Sequence, residues 1–172
     1  MVDDILQDDD DTTNDDHIRR ERLLSLLPQR EFGRSLDIGC GNGFLTFSLP
    51  GSTVVGCDVS PQAIEWATQR AQARPDRNRF ELRALSLFDL PRASLGRFDL
   101  IVITGVLYPQ YIGQAFSLVQ LIVDDLLNEG GILVSVHIDD WCRHWFPYTS
   151  LDMSFYSYRE YTHRLEVYRK CS

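Results

Sequence analysis

Apolar residues along this chain fall into two alternating patterns: short continuous runs, and longer stretches in which they return every three or four positions. Residues 17–27 (HIRRERLLSLL) are of the second kind. Ile18, Leu23, Leu24, Leu26 and Leu27 form a stripe that predicts a short amphipathic helix, closed by Pro28. Asp15 and Asp16, just ahead of it, supply its N-cap and suit its positive end. Residues 35–38 and 53–57 are short apolar runs and read as the first two strands. Between them, Phe44, Leu45 and Phe47 predict a helix starting near Gly43. Ser60 followed by Pro61 opens another, through about residue 73, with Ala63, Ile64, Ala67 and Ala71 turned inward. Residues 79–85 predict a third strand. Residues 98–104 (FDLIVIT) form a continuous apolar and β-branched run, suited to a central parallel strand buried on both faces. A helix over 114–127, a turn at 128–131 (NEGG) and a fifth strand over 132–138 follow, and 153–158 and 163–168 have room for two more strands. Strands alternating with helices predict an α/β fold, a doubly wound sheet that is mostly parallel with right-handed crossovers.

At 172 residues the chain has room for about one domain with a proper core. Its formal charge is −8, and the distribution of that charge changes its meaning. Eight of the 25 acidic residues, all aspartates, fall within the first sixteen positions with no Lys or Arg among them, which leaves 17 acids against 17 bases over residues 17–172. A neutral body carries no net field to draw in nucleic acid or an anionic membrane, so neither is expected as a partner. Residues 1–16 read as a disordered acidic tail ahead of a single domain at 17–172. The tail is a solubilising leader or a docking arm for a basic partner. Cys40, Cys57, Cys142 and Cys171 show no paired spacing, and no signal peptide or long apolar segment is present. The expectation is a soluble, cytoplasmic protein with reduced thiols.

Chemistry concentrates at residues 36–43 (LDIGCGNG), where an apolar run meets three glycines spaced G-x-G-x-G. Glycine takes dihedrals that other residues avoid and lets a ligand lie against the main chain. Asp58 closes the second predicted strand nineteen residues after Gly39, where a carboxylate can accept hydrogen bonds from both hydroxyls of a ribose. A dinucleotide loop would place its third glycine one position later and would hold a pyrophosphate. Asp37 projects a negative charge into the loop instead, which repels a pyrophosphate and suits an ammonium group.

These residues together resemble motif I and the ribose-binding acid of class I S-adenosyl-L-methionine (SAM) dependent methyltransferases. Further blocks keep that family's order: the FDLIV strand, the NEGG turn and a terminal strand pair. More narrowly, HIRRERLLSLLP, VITGVLY, VHIDDWCRHW and YTHRLEVYR resemble the nodulation protein S (NodS-like) group of small methyltransferases. The resemblance implies a Rossmann-like sheet with a C-terminal antiparallel strand pair. It implies SAM as cofactor, S-adenosyl-L-homocysteine as product, and in the narrower group methyl transfer to an amine on a sugar. It places Asp37, Gly39, Cys40, Gly41 and Gly43 around the methionine end, Asp58 at the ribose, Ser86 and Leu87 at the adenine, and counts Val59 and Thr104 among the cofactor-binding residues. Two positions depart from the family: Ser86 stands where many relatives carry an adenine-binding acid, and Gly105 stands where many carry an acid after strand four. Asp89 is expected to serve as a turn cap.

Methyl transfer from a sulfonium mainly requires that acceptor and methyl be aligned, with a base to take the acceptor's proton. Tyr108, Tyr111, His137, Asp139, Asp140 and His144 fall near the carboxyl edge of strands four and five, where ligands sit in open parallel sheets. Tyr108 and His137 are the candidate catalytic residues. His137, Asp139, Cys142 and His144 match no zinc spacing, so no metal is expected. The expected acceptor is a small molecule carrying an amine or hydroxyl, such as a sugar or oligosaccharide. Only 34 residues follow strand five, leaving little for a substrate cover. A homodimer or partner protein completing the site therefore stays open, as does the alternative of a SAM-binding module that works as a partner subunit with little activity of its own.

Overall fold

The computed structural model describes residues 14–171. The strands are β1 (Arg34–Ile38), β2 (Thr53–Asp58), β3 (Phe80–Ala84), β4 (Phe98–Thr104), β5 (Leu127–Ile138), β6 (Thr149–Tyr158) and β7 (Tyr161–Arg169). They form one sheet in the order β3-β2-β1-β4-β5-β7-β6. The first five run parallel, while β7 pairs antiparallel with both β5 and β6. Among the described residues four α-helices complete the fold: α1 (Asn14–Leu26), α2 (Pro61–Gln72), the single turn α3 (Pro109–Ile112) and α4 (Phe116–Leu126).

β4 shows why the sheet is two-sided. Leu100 and Val102 enter one buried cluster with Leu23 and Leu27 of the α1 segment, while Ile101 and Ile103 enter the other with Val119, Ile122 and Val123 of α4. Side chains two apart in a strand share a face, so an unbroken apolar run fills both layers. α2 begins as its sequence predicts: Pro61 occupies the first turn, and Ser60 accepts the Ala63 amide at 3.2 Å as N-cap.

Three elements differ from the sequence expectation. No α-helix follows the glycine loop; Thr46–Ser48 form one 3-10 turn, and Pro50 and Gly51 end it before a second turn can add hydrogen bonds. The apolar residues that suggested a helix pack as a compact loop, with Leu45 and Leu49 buried beside Leu23 and Val54. The predicted turn at 128–131 is absorbed into β5 as an irregularity, where the register against β4 shifts between Phe98 and Leu100. There Gly130, at φ +72, gives its amide to the Lys170 carbonyl, and the Lys170 amide returns to Gly131. Third, α1 is already formed at Asn14, so Asp15 and Asp16 stand in its first turn rather than ahead of it. The Asp16 carboxylate accepts the Tyr158 hydroxyl, and Asp15 accepts the Arg159 amide at 3.3 Å, tying the helix start to the β6–β7 hairpin. Residues 1–13 of the expected acidic tail lie outside the described residues. Among the described residues no helix is long and apolar enough to cross a membrane.

Candidate active site

β1 delivers Asp37 to the floor of a cavity of about 210 Å³, with Gly39, Cys40, Gly41, Asn42, Phe44, Leu45, Thr104 and Gly105 in its walls and Arg19 at its side. The loop above Asp37 is left-handed at each glycine: φ is +81 at Gly39, +54 at Gly41 and +84 at Gly43. The three serve different ends. A Cβ on Gly39 would come within 2.5 Å of the Val106 side chain and 2.8 Å of the Thr104 carbonyl, so this glycine lets β1 and β4 close together. Gly41 has nothing within 4 Å and opens directly onto the cavity. Gly43 turns away into packing, 2.7 Å from the Phe47 ring by the same measure, and does not line the cavity.

Asp37 is 1% exposed. The Thr46 hydroxyl donates to its Oδ2 at 2.7 Å, and Oδ1 has no partner. Burial pushes its carboxyl up to about 6, against the opposing pull of the Thr46 hydrogen bond and the Arg19 charge. Thr104 Oγ1, also buried in the cavity wall, is likewise unpartnered. Two orphaned polar atoms on one small cavity are uncommon in a folded protein and mark where a ligand's polar groups fit. Cys40 is held inert, because burial and the neighbouring Asp37 drive its thiol far above the ordinary range.

The rest of the expected cofactor contacts lie along the next strands. Asp58, at the tip of β2, accepts the Gly41 amide at 2.9 Å on Oδ2 and the Ser60 amide at 2.9 Å on Oδ1. Each carboxylate oxygen keeps a second lone pair, so both can still receive a hydroxyl. Val59 beside it is 71% exposed, an apolar side chain presented to solvent at the sheet edge. The Ser86 amide donates to Asp89 Oδ2 at 3.3 Å, so Asp89 is a turn cap. Leu87 is buried in the α4-side core, because Leu87 and Leu90 stand three apart on one face of a 3-10 turn. Gly105 has φ +66 and open space around it, so bare backbone stands in the cavity wall after β4.

The candidate catalytic pair is drawn together at the ends of β4 and β5, with ring centroids 5.4 Å apart. His137 Nε2 accepts the Val106 amide at 3.2 Å and the Leu107 amide at 3.1 Å, which puts its proton on Nδ1, 3.0 Å from Ser135 Oγ. Burial holds its pKa down to about 3. The ring is neutral, and no nitrogen lone pair faces the cavity; its work is to fix the loop after β4. The Tyr108 hydroxyl accepts the Ile138 amide at 2.9 Å, and the ring packs against Trp141 at 5.7 Å and Tyr111 at 6.2 Å. His144 stacks on Phe116 at 4.1 Å, away from His137 in role and partner. Asp140 is exposed and pairs loosely with Arg143. Among the described residues no group of His, Cys, Asp or Glu converges as a metal site.

Sequence reasoning missed two residues. Arg19 looks like one of three arginines on the polar side of an amphipathic helix, beside Arg20 and Arg22, and no local signal marks it. Arg164 is buried, with Nη1 on Asp139, Nη2 on the Cys142 carbonyl at 2.8 Å, and Nε 3.2 Å from Glu166. It anchors the segment between β5 and β6 from the neighbouring strand, a link between residues that only the antiparallel pairing brings together.

Residues 31–166 match a family described as a methyltransferase domain. The N-methyltransferase NodS from Bradyrhizobium japonicum WM9 is similar over 94% of this chain and 99% of its own, with a TM-score of 0.77 and 24% identity. Its complex with S-adenosyl-L-homocysteine gives 0.74 and 25% identity over 94% of this chain and 90% of that one. A magnesium-protoporphyrin O-methyltransferase of Rhodobacter capsulatus is 38% identical over 89 residues, covering 48% of this chain and 37% of that protein. The chain spans less than half the length of the curated relatives it matches.

Proposed function

We propose that this chain, which belongs to the family of methyltransferase domains, binds SAM in the glycine-walled cavity and passes its methyl group to the nitrogen of a small molecule. The observation that carries the reading is Asp37, a buried carboxylate with one oxygen unpartnered beneath a loop that keeps its backbone open at Gly41. It suits the ammonium of an amino-acid group. Asp58 suits the ribose hydroxyls, and Val59 and Ser86 the adenine. When bound, SAM supplies a methyl group activated by its sulfonium charge. The chain's part is to hold and align.

Nitrogen is favoured over oxygen by what His137 does. A hydroxyl must lose its proton to attack, and the imidazole at the end of β5 has both nitrogens engaged with Val106, Leu107 and Ser135. An amine attacks from its neutral form without that help. Tyr108, Tyr111 and Trp141 offer aromatic faces against which a sugar-like acceptor can lie, in keeping with NodS being an N-methyltransferase. Calorimetric titration tests the reading. SAM and S-adenosylhomocysteine are expected to bind at about micromolar affinity and NAD not at all; absence of SAM binding would overturn it.

A second reading concerns completion of the site. Tyr111, Trp141 and Trp145 are 63%, 43% and 54% exposed on its acceptor side, which favours a second copy or another protein closing over them. Light scattering showing a monomer at micromolar concentration, together with full activity, would exclude it.

A further inference from the structure

The neutral balance of residues 17–172 is unevenly spread. Residues 70–83, from the end of α2 through β3, carry five arginines against two acids, a local charge of +3. Both acids are already engaged: Asp76 takes Arg74 at 2.9 Å and Arg79 at 3.0 Å, and Glu81 takes Arg83 at 2.8 Å. Arg77 stands exposed beside them. This surface borders a groove of about 240 Å³ that plays no part in the cofactor reading. Ala71 and Gln72 of α2 line one side, Phe80 and Leu82 of β3 the other, and Arg77 reaches it from the turn between. Phe80 and Leu82 stand two apart in the strand, share a face and give the groove an apolar side. Among the described residues β3 is an edge of the sheet, bonded to β2 alone. An edge strand offers backbone amides and carbonyls to an extended segment that meets it.

We propose that the groove between α2 and β3 is the docking site of the chain's own acidic segment, residues 3–11 (DDILQDDDD). Six aspartates and no base fall in that segment, matching the arginine surplus, and Ile5 and Leu6 match the apolar side made by Phe80 and Leu82. Length and position fit the same chain. α1 starts at Asn14, and its first turn sets His17 edge-on to Phe44 at 5.2 Å. Three residues on, Phe47 packs at 5.0 Å against Phe80 in the groove wall. Ile5 lies nine residues before Asn14, a length that extended chain carries up to about 30 Å, far enough to pass over these rings to the groove. A single exposed ion pair contributes little, so the docking rests on the number of charges and fades as salt screens them. Of the two roles open to the acidic segment, this is the docking arm, with the basic partner supplied by the chain itself. It stands independently of the SAM reading.

The experiment is nuclear magnetic resonance on the full chain, with a nitroxide attached at Gln7→Cys in a Cys171→Ser background, because Cys171 is the exposed native thiol. The amides of Gln72 and of Phe80–Ala84 are expected to lose most of their intensity at about 0.01 M salt and to recover it at about 1 M, where the screening length falls to roughly 3 Å. Arg77→Glu combined with Arg83→Glu should restore the intensity at low salt. So should the fourfold change of Asp8, Asp9, Asp10 and Asp11 to Asn, which leaves the described body intact and carries the comparison should the arginine variant fail to fold. A sample mixing nitroxide-bearing chain with isotope-labelled chain that carries no nitroxide should show full intensity. Losses in that mixture would put the segment on a second copy and overturn the proposal. Full intensity at low salt in the nitroxide-bearing chain, or losses that neither salt nor the charge substitutions relieve, would overturn it as well.

Discussion

Asp37 and His137 are both buried near the carboxyl ends of parallel strands, β1 and β5, with β4 between them. Asp37 keeps one oxygen without a partner and faces a cavity, while His137 has two amides on one nitrogen and a hydroxyl at the other. Burial pushes both toward their neutral forms, which for an acid means a raised pKa and for a base a lowered one. The same physical cause acts on one side chain with an open acceptor at a cavity and on another locked as a brace. Burial of a titratable group therefore does not by itself single out a site residue; an open acceptor that also faces a cavity distinguishes Asp37 from His137. Arg164 belongs with His137, since its buried charge is matched by Asp139, Glu166 and carbonyls.

The contrast is broken most strongly at Arg164. Arg164→Met leaves Glu166 buried without its cation and frees the segment after β5; about 3–5 kcal/mol of stability should be lost, read from the urea midpoint. Cofactor affinity of the molecules still folded should hardly move. Asp37→Asn should act in the opposite sense. It removes a buried charge and so raises stability near neutral pH by up to about 3 kcal/mol, while weakening S-adenosylhomocysteine about tenfold or more. A variant that gains stability and keeps its affinity would deny Asp37 its ligand.

The pH dependence carries the same opposition. The carboxyl of Asp37 is raised from 3.8 to about 6, so the folded chain binds more protons than the unfolded one between those values, and this contribution falls as pH rises from about 4 to 6. His137 is lowered from 6.5 to about 3, so its contribution is present above about 6.5 and is lost as pH falls toward 3. Comparing the wild type with Asp37→Asn and His137→Gln by denaturation from pH 4 to 8 should give opposite slopes. Asp58→Ala removes an acceptor shared by two amides and should weaken S-adenosylhomocysteine by roughly 1.5–3 kcal/mol in a calorimeter. Ser86→Asp, which adds a charged acceptor at the expected adenine position and is itself a good cap, should tighten binding by only about 1 kcal/mol.

Much of the fold was legible because its signals are local. The run from Phe98 to Thr104 could only be a two-sided strand, and Ser60 with Pro61 could only begin a helix. The placement of Asp37 and Asp58 was legible for a similar reason: each falls in the last two residues of a parallel strand, and the carboxyl ends of neighbouring strands in such a sheet lie together. The helix expected after Gly43 failed because apolar spacing was counted without the stop that Pro50 and Gly51 impose. Leu87 turned inward because the 3-10 turn aligns it with Leu90, which spacing from a strand does not foretell. Arg19 and Arg164 were invisible because each acts across the tertiary structure, one from a helix laid over the loop and the other across a strand pair. His137 was visible as a residue but not as a brace, since its partners are backbone amides thirty residues away.

The shortened first crossover also bears on turnover. A full helix after the glycine loop would set a positive pole of about half a charge at its start, whereas a three-residue 3-10 turn sets almost none. The field at the loop is left to the side chains around it, the carboxylates of Asp37 and Asp58 against the Arg19 guanidinium at the cavity's side. On the proposed reading, the two carboxylates would favour a cationic sulfonium over the neutral thioether left after methyl transfer. On the same reading, the loss of that charge as the methyl leaves would weaken the hold on the spent cofactor.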